Sequence, residues 1–214
     1  MSEIANVIGA SGLVGKELVK QLLDHPEFEK VRIFVRRTTN MVHPKLEEQI
    51  IDFDQTESWK HLVTGDVLFS TLGTTIKTAK TKENQYQVDF TYQFEFAKAA
   101  AENGVPAYLL VSSMGANPKS SVFYSRMKGE LEDAVAKLPF WKLVIIRPSI
   151  LDGDRQEKRA GEKVGLILSR FVTRFILKVY KPTPVNLLAS KMISLSLQKV
   201  PGITTIGGLD LFQN

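Results

Sequence analysis

Short apolar runs alternate along the chain with longer stretches of helical period. The runs Ile4–Gly9, Val31–Arg36, Gln49–Asp52, Val67–Thr71, Ala107–Ser112 and Leu143–Arg147 predict strands. Several are apolar almost throughout, as strands covered on both faces should be. In "NQYQVDFTYQFEFAKAAAENG", Val88, Tyr92, Phe96 and Ala99 share one helical face, and Gly104 and Pro106 supply the stop. From Ser120 onward, Phe123, Met127, Leu131, Ala134 and Leu138 repeat that spacing up to Pro139. A later helix, "PVNLLASKMISLSLQ", precedes Pro201-Gly202 and a further short apolar run. Strand followed by helix, repeated in this way, predicts an α/β fold with a doubly wound, mostly parallel sheet of the Rossmann kind, as a single domain over residues 1–214.

The segment Leu151–Pro184 breaks the alternation. A charged, glycine-containing loop, "DGDRQEKRAGE", leads into "KVGLILSRFVTRFILKVYKP", in which Arg170, Arg174 and Lys178 recur every four residues. We expect an amphipathic helix lying over the carboxyl edge of the sheet, a small cap on the substrate side. Its basic stripe reads as a solvated face rather than as a membrane-surface helix.

Composition narrows the chemistry. The 214 residues suffice for one sizeable α/β domain, and a hydrophobic fraction of 43% with 24% charged residues is ordinary for a globular protein. There are no cysteines, which excludes disulfides, thiolate metal sites and a cysteine nucleophile. His25, His43 and His61 lack metal-ligand spacing, so no metal is expected. The opening residues do not resemble a signal peptide, and no apolar run reaches the length of a bilayer span. From these features we expect a cytoplasmic protein without membrane insertion. The net charge of +5 is scattered rather than striped, which favours an anionic small molecule over nucleic acid as partner. The oligomeric state is not encoded in any motif.

The first strand, turn and helix carry the strongest signal. In "IANVIGASGLVGKELVKQLL", Gly9, Gly12 and Gly15 stand between a strand and a helix mouth, where bare Cα atoms let the backbone approach a pyrophosphate. The helix amino terminus offers free N–H groups to that anion, and Ser11 adds a hydroxyl. The second strand ends in Arg36 and Arg37 where an NAD enzyme would carry a carboxylate, and guanidinium forks suit the 2′-phosphate of NADP. Asp52, at the end of the third predicted strand, is a candidate acceptor for the adenine amino group, with Phe53 beside it. In "VLFSTLGTT", Leu72 and Gly73 are expected to run along the cofactor groove.

Tyr124 and Lys128 lie four apart in "YSRMKGELE", one above the other on a helix. A phenol titrates near 10, too high for a base at neutrality, but an adjacent ammonium favours the phenolate. Such a pair can relay a proton during hydride transfer to or from a carbonyl carbon. Ser112 and Ser113 end the preceding strand, and one of the two hydroxyls would polarise the substrate oxygen, with Ser113 taken as the candidate and the choice between the two left open. No Gly-x-Ser-x-Gly elbow and no Gly-Lys-Ser/Thr loop compete with this site.

The motifs "GASGLVGKEL", "RR", "STLGTT", "VSSMGA", "YSRMKGELE" and "IIRPSILDGDRQEKRAGE" together resemble the atypical short-chain dehydrogenases/reductases, closest to the subgroup typified by the Tat-interacting oxidoreductase. The match runs from Ile4 to about Ile206. It implies an NADP(H)-binding Rossmann fold, with the phosphates held by Ser11, Gly12, Leu13 and Val14 and the 2′-phosphate by Arg36 and Arg37. It further implies Leu72 and Gly73 along the central groove and Tyr124 as proton donor or acceptor with Lys128 beside it. Leu151 and an arginine of the "DRQEKR" loop, Arg155 or by preference Arg159, would touch the cofactor. The region after Arg147 is shorter than the substrate domain of the related sugar-nucleotide epimerases. The expected activity is therefore an NADP(H)-dependent oxidoreductase acting on a small carbonyl or alcohol. A cofactor-binding regulator or scaffold without turnover is the alternative, and a small isomerase or dehydratase a weaker third.

Overall fold

The computed structural model describes residues 2–149, 151–152 and 182–212. In chain order the elements are β1 (Glu3–Ile8), α1 (Leu13–Asp24), β2 (Phe28–Val35), β3 (Leu46–Ile50), α2 (Thr56–Trp59), β4 (Val67–Ser70), α3 (Ile76–Ala79), α4 (Lys82–Tyr86), a π turn (Gln87–Thr91), α5 (Tyr92–Glu102), β5 (Ala107–Val111), α6 (Phe123–Val135), β6 (Lys142–Arg147), β7 (Leu151–Asp152), β8 (Thr183–Pro184), α7 (Val185–Leu197) and β9 (Gly202–Gly207). Seven strands form one parallel sheet in the order β3-β2-β1-β4-β5-β6-β9. β7 and β8 pair separately. Strand order reverses between β1 and β4, which puts a crevice at their carboxyl ends, where open α/β sheets bind ligands. The doubly wound Rossmann architecture expected from the alternation is the fold.

Each face of the sheet has its own core. On one side Val14, Leu18, Val19 and Leu22 of α1 meet Leu188, Met192 and Ile193 of α7 over Val7, Ile33 and Leu109. On the other, Phe96, Ala97 and Ala100 of α5 and Leu131 and Val135 of α6 cover Ile8, Phe34, Leu68 and Leu110. Trp59 stacks on Phe96 at 3.9 Å, with Phe34 and Phe53 edge-on or tilted around it. The alternation of neighbouring strand residues between these two cores is why β1, β4 and β5 read as apolar runs.

Three elements depart from the sequence pattern. β3 covers Leu46–Ile50 rather than Gln49–Asp52, because Arg32 of β2 pairs with Glu47 at 2.7 Å and Asp52 belongs to the following turn. The helix from residue 82 is interrupted by the π turn. Of the expected face Phe96 and Ala99 are buried while Val88 and Tyr92 are half-buried, and Gln85, Asp89, Gln93, Ala97 and Ala100 complete the buried line. The extra residue in the turn rotates a polar line inward, and these groups find partners there: Gln93 donates to the Asp89 carbonyl and accepts from Ser70. β6 begins one residue early at Lys142, whose buried Nζ donates to the carbonyls of Leu195, Ser196 and Gln198 and closes the carboxyl end of α7. The expected cap helix lies outside the described residues, apart from β7 and β8 at its two ends.

Candidate cofactor and catalytic site

The glycine turn is built as the spacing requires. Gly9 leaves β1 with φ +82°, and a Cβ there would stand 2.5 Å from the Leu72 nitrogen. A Cβ on Gly15 would lie 2.1 Å from the Gly9 oxygen, so only glycine lets α1 start this close to the sheet. Gly12 donates to the Gly9 carbonyl at 2.8 Å and caps α1 without any side-chain hydrogen bond. The first N–H groups of α1, on Leu13, Val14 and Gly15, therefore remain available to an anion. Gly12 and Ser11 are exposed beside them. The same close approach that demands Gly9 brings Leu72 and Gly73, after β4, onto this turn.

Next to the turn lies a cavity of about 790 Å³ lined by Ser11, Lys16, Arg36, Arg37, Thr38 and Thr39 among others. Among the described residues no carboxylate lines it. Arg36 and Arg37 are exposed, and neither makes an ion pair or hydrogen bond among the described residues. The loop beyond them is held by Glu48, which accepts from the Thr39 N–H at 2.8 Å; that bond and the Thr38 and Thr39 hydroxyls hold its carboxyl below the usual range. Asp52 does not line the cavity. It is exposed and accepts the Asp54 N–H at 3.0 Å, while Phe53 is buried against Phe96 and Tyr92. Lys16, Thr38 and Thr39 were not singled out from the sequence, although "VGKEL" and "RRTT" place them within the motifs already quoted.

Tyr124 and Lys128 share one face of α6, with Tyr124 half-buried and Lys128 buried. The Lys128 ammonium meets the Asp89 carboxylate at 3.1 Å, with both side chains almost wholly inaccessible. Burial alone would push Lys128 down. Asp89, with Tyr124 and Glu132, more than offsets this and holds it above the ordinary lysine value. The other Asp89 oxygen accepts the Thr74 N–H at 2.8 Å, and Gly73 passes so close that a Cβ there would be 3.2 Å from the carboxylate. One side chain thus joins the loop after β4 to the lysine of α6.

One turn further along α6, Glu132 is buried, accepts from the Ser112 hydroxyl and takes a forked pair of hydrogen bonds from Arg147 at the end of β6, the Nε bond at 3.0 Å. Ser112 is therefore committed to the interior. Ser113 is half-buried and its hydroxyl donates to the Met114 carbonyl at 3.3 Å, a longer bond than that of Ser112, which makes it the more available of the two hydroxyls among the described residues. The loop between β5 and α6 lies tight on the helix: a Cβ on Gly129 would come within 2.3 Å of the Pro118 nitrogen. Leu151 pairs with Thr183 in the small second sheet. Arg155 and Arg159 lie outside the described residues. No cluster of metal-binding side chains occurs among the described residues, and no helix among them is long and apolar enough to cross a membrane.

Asp89, Glu132 and Arg147 escaped the sequence reading. Their only signals were the polar line Gln85, Asp89 and Gln93 at four-residue spacing, and Glu132 four residues beyond Lys128.

The fit to a dinucleotide can be judged from these features alone. A glycine-gated turn, an uncapped helix start and a cavity lined with unpaired guanidinium groups suit an adenosine phosphate and a diphosphate. Comparison with known proteins agrees. A family model described as NAD(P)H-binding matches residues 9–174. The mitochondrial protein Fmp52 of Candida glabrata is 41% identical over 162 residues, covering 74% of this chain and 68% of that protein. The mitochondrial Fmp52 of Aspergillus fumigatus is 39% identical over 168 residues, covering 74% and 72%. Among solved structures, an oxidoreductase of Lactococcus lactis superposes with a TM-score of 0.69 at 16% identity, over 96% of this chain and 90% of that one. The cytoplasmic expectation is corrected by these relatives, since both Fmp52 proteins are named mitochondrial; the compartment left no mark in the features from which it was inferred. The chain belongs to the NAD(P)H-binding family and is related to the mitochondrial Fmp52 proteins.

Proposed function

We propose that this protein is an NADP(H)-dependent oxidoreductase that interconverts a small carbonyl compound and its alcohol, and that it works in mitochondria, the compartment given in the names of its relatives. The observation that carries the proposal is a buried Lys128, paired with Asp89 one helical turn from Tyr124, beside the loop that meets the glycine turn.

Preference for the phosphorylated cofactor is supported by Arg36 and Arg37, which line a cavity where, among the described residues, they meet no carboxylate. The diphosphate would be held by the N–H groups of Leu13 and Val14 with Ser11, and Leu72 and Gly73 would flank the ribose. When bound, the nicotinamide supplies or accepts the hydride. Tyr124 donates the proton to the substrate oxygen in reduction and removes it in oxidation. Lys128 keeps N–H donors for the tyrosine oxygen and the ribose hydroxyls, because Asp89 engages only one side of the ammonium. Ser113 steadies the substrate oxygen. We expect the partner to be a small molecule rather than nucleic acid.

The test is oxidation of NADPH by the purified protein against a panel of small aldehydes and ketones, with Tyr124→Phe as control. Turnover lost in that variant supports the reading. Tight NADPH binding without turnover on any carbonyl would instead favour a cofactor-binding regulator.

A further inference from the structure

We propose that β9 is a docking edge for a second copy of this chain: two β9 strands pair antiparallel about a two-fold axis and join the two sheets into one. This goes beyond the proposed reaction and does not depend on it. β9 ends the sheet next to β6, and among the described residues no strand pairs with its outer side. An open edge presents a row of unused backbone N–H and C=O groups, and chains that stay single guard such edges with charges, proline or bulges. The opposite edge is guarded in that way: β3 reads "LEEQI", and Glu47 meets Arg32 and Lys30 there. β9 reads "GITTIG" and carries no charge.

The side chains agree with the backbone. Ile203 stands beside Leu143 in the ladder, on the face of the sheet that Leu131 and Val135 of α6 cover, yet it is 58% exposed. Thr205 shares that face and is exposed too. Val200 before the strand and Leu209 after it are further exposed apolar side chains. Trp141, whose carbonyl accepts the Gly202 N–H, widens the apolar surface at the amino end.

What chooses a second copy over a foreign strand is the symmetry of the segment. From Lys199 to Asp210 the chain reads "KVPGITTIGGLD": a strand that is the same in both directions, an apolar residue beyond each end, then a cation at one end and an anion at the other. Reversed against itself, it brings Val200 toward Leu209 of the second copy and Lys199 toward Asp210 of the second copy, each of them twice. Lys199 and Asp210 are exposed, and neither forms a salt bridge among the described residues. A two-fold axis normal to the sheet keeps each face on its own side, so directly opposed residues must be an even number apart. An axis through Thr204 meets that condition. It sets Thr204 against Thr204 of the second copy and lays each exposed Ile203 on Thr205 of the second copy, and cross-strand pairs of this kind stabilise antiparallel strands. The neighbouring register, through Thr205, would leave Ile203 opposite a glycine. The edge position, known only from the fold, gives this symmetry its meaning.

The experiment is analytical ultracentrifugation of the full chain over a range of concentrations. The wild type should exchange reversibly between monomer and dimer, and a wild type still monomeric at about 100 µM, too weak for a specific dimer, overturns the inference. Ile203→Lys with Thr205→Lys sets lysines against lysines on an exposed face, and should leave a monomer that circular dichroism shows to be folded. A dimer that survives in that folded variant uses another surface and overturns it too. Lys199→Glu or Asp210→Lys alone should weaken the dimer about 2–30-fold, the worth of an exposed ion pair repeated by the two-fold axis. The two together should restore it, and this exchange of charges carries the test should the lysine variant fail to fold. Weakening that the double exchange does not restore refutes the antiparallel arrangement. Because the chain has no cysteine, Thr204→Cys supplies a single thiol opposite its own copy and should cross-link the dimer under glutathione disulfide. Lys199→Cys, whose own copy lies at the far end of the ladder, should not. Cross-linking of Lys199→Cys in preference to Thr204→Cys refutes the axis.

Discussion

The two ends of the crevice solve opposite problems. At the glycine-turn end, the first N–H groups of α1 and the Arg36 and Arg37 side chains make no ion pair or hydrogen bond among the described residues and are open to water. At the Tyr124 end, Asp89 pairs with Lys128, and Glu132 with Arg147 and Ser112, and all but Arg147 are buried. Unpaired donors in water cost little and are ready for an anion. Charged groups away from water must be paired, or they are expelled or neutralised. One end leaves its donors open, and the other pairs its charged groups away from water.

The sharpest break in this contrast is Tyr124→Phe. It should lower carbonyl reduction by about 10²–10⁴-fold, the usual worth of a positioned proton donor, with NADPH affinity by calorimetry nearly unchanged. A comparable loss of cofactor affinity would mean that the two ends are not separable. Replacing both Arg36 and Arg37 by alanine should weaken NADPH binding about 10–100-fold through lost charge-assisted hydrogen bonds, and leave NADH binding as it was. Equal losses for the two cofactors would count against a 2′-phosphate site.

Gly129→Ala tests how firmly the Tyr124 end is held. Its new methyl would meet the Asn117–Pro118 backbone, and we expect a loss of about 1–3 kcal/mol in urea unfolding. Reduced turnover with unaltered NADPH binding should accompany it. The smallest effect lies away from both ends. The Arg32 guanidinium brings Glu47 from 4.5 down to about 2 against the opposing effect of burial. A lowered carboxylate stabilises the fold fully above the unfolded value and loses that contribution as pH falls from about 4.5 toward 2. Glu47→Gln should therefore flatten the acid-side slope of the melting temperature in that window, and leave cofactor binding untouched.

The glycine turn and the paired arginines were legible in the chain because their parts are local. Gly9, Gly12 and Gly15 act through the backbone of one turn, and Arg36-Arg37 act through their position at a strand end. Asp52 shows the limit even there. The acid was visible, but its use as the acceptor of its own turn depended on where β3 stops. At the other end only the Tyr124–Lys128 spacing could be read. The partner of Lys128 is 39 residues away in sequence, and a π turn brings it inward against the expected helical face.

By itself, then, the sequence determined the alternation of strand and helix, the parallel sheet with its glycine turn, and the pairing of a phenol with an amine on one helix. These follow from periodicity, from φ and from four-residue spacing, all properties of neighbouring residues. Only the tertiary structure decided that Ser112 turns inward to Glu132 while Ser113 stays available, and that Lys128 is neutralised by Asp89. Buried polar groups take their partners from whichever segments the packing brings together, and the hydrogen-bond demand of a closed interior is met across the fold rather than along the chain.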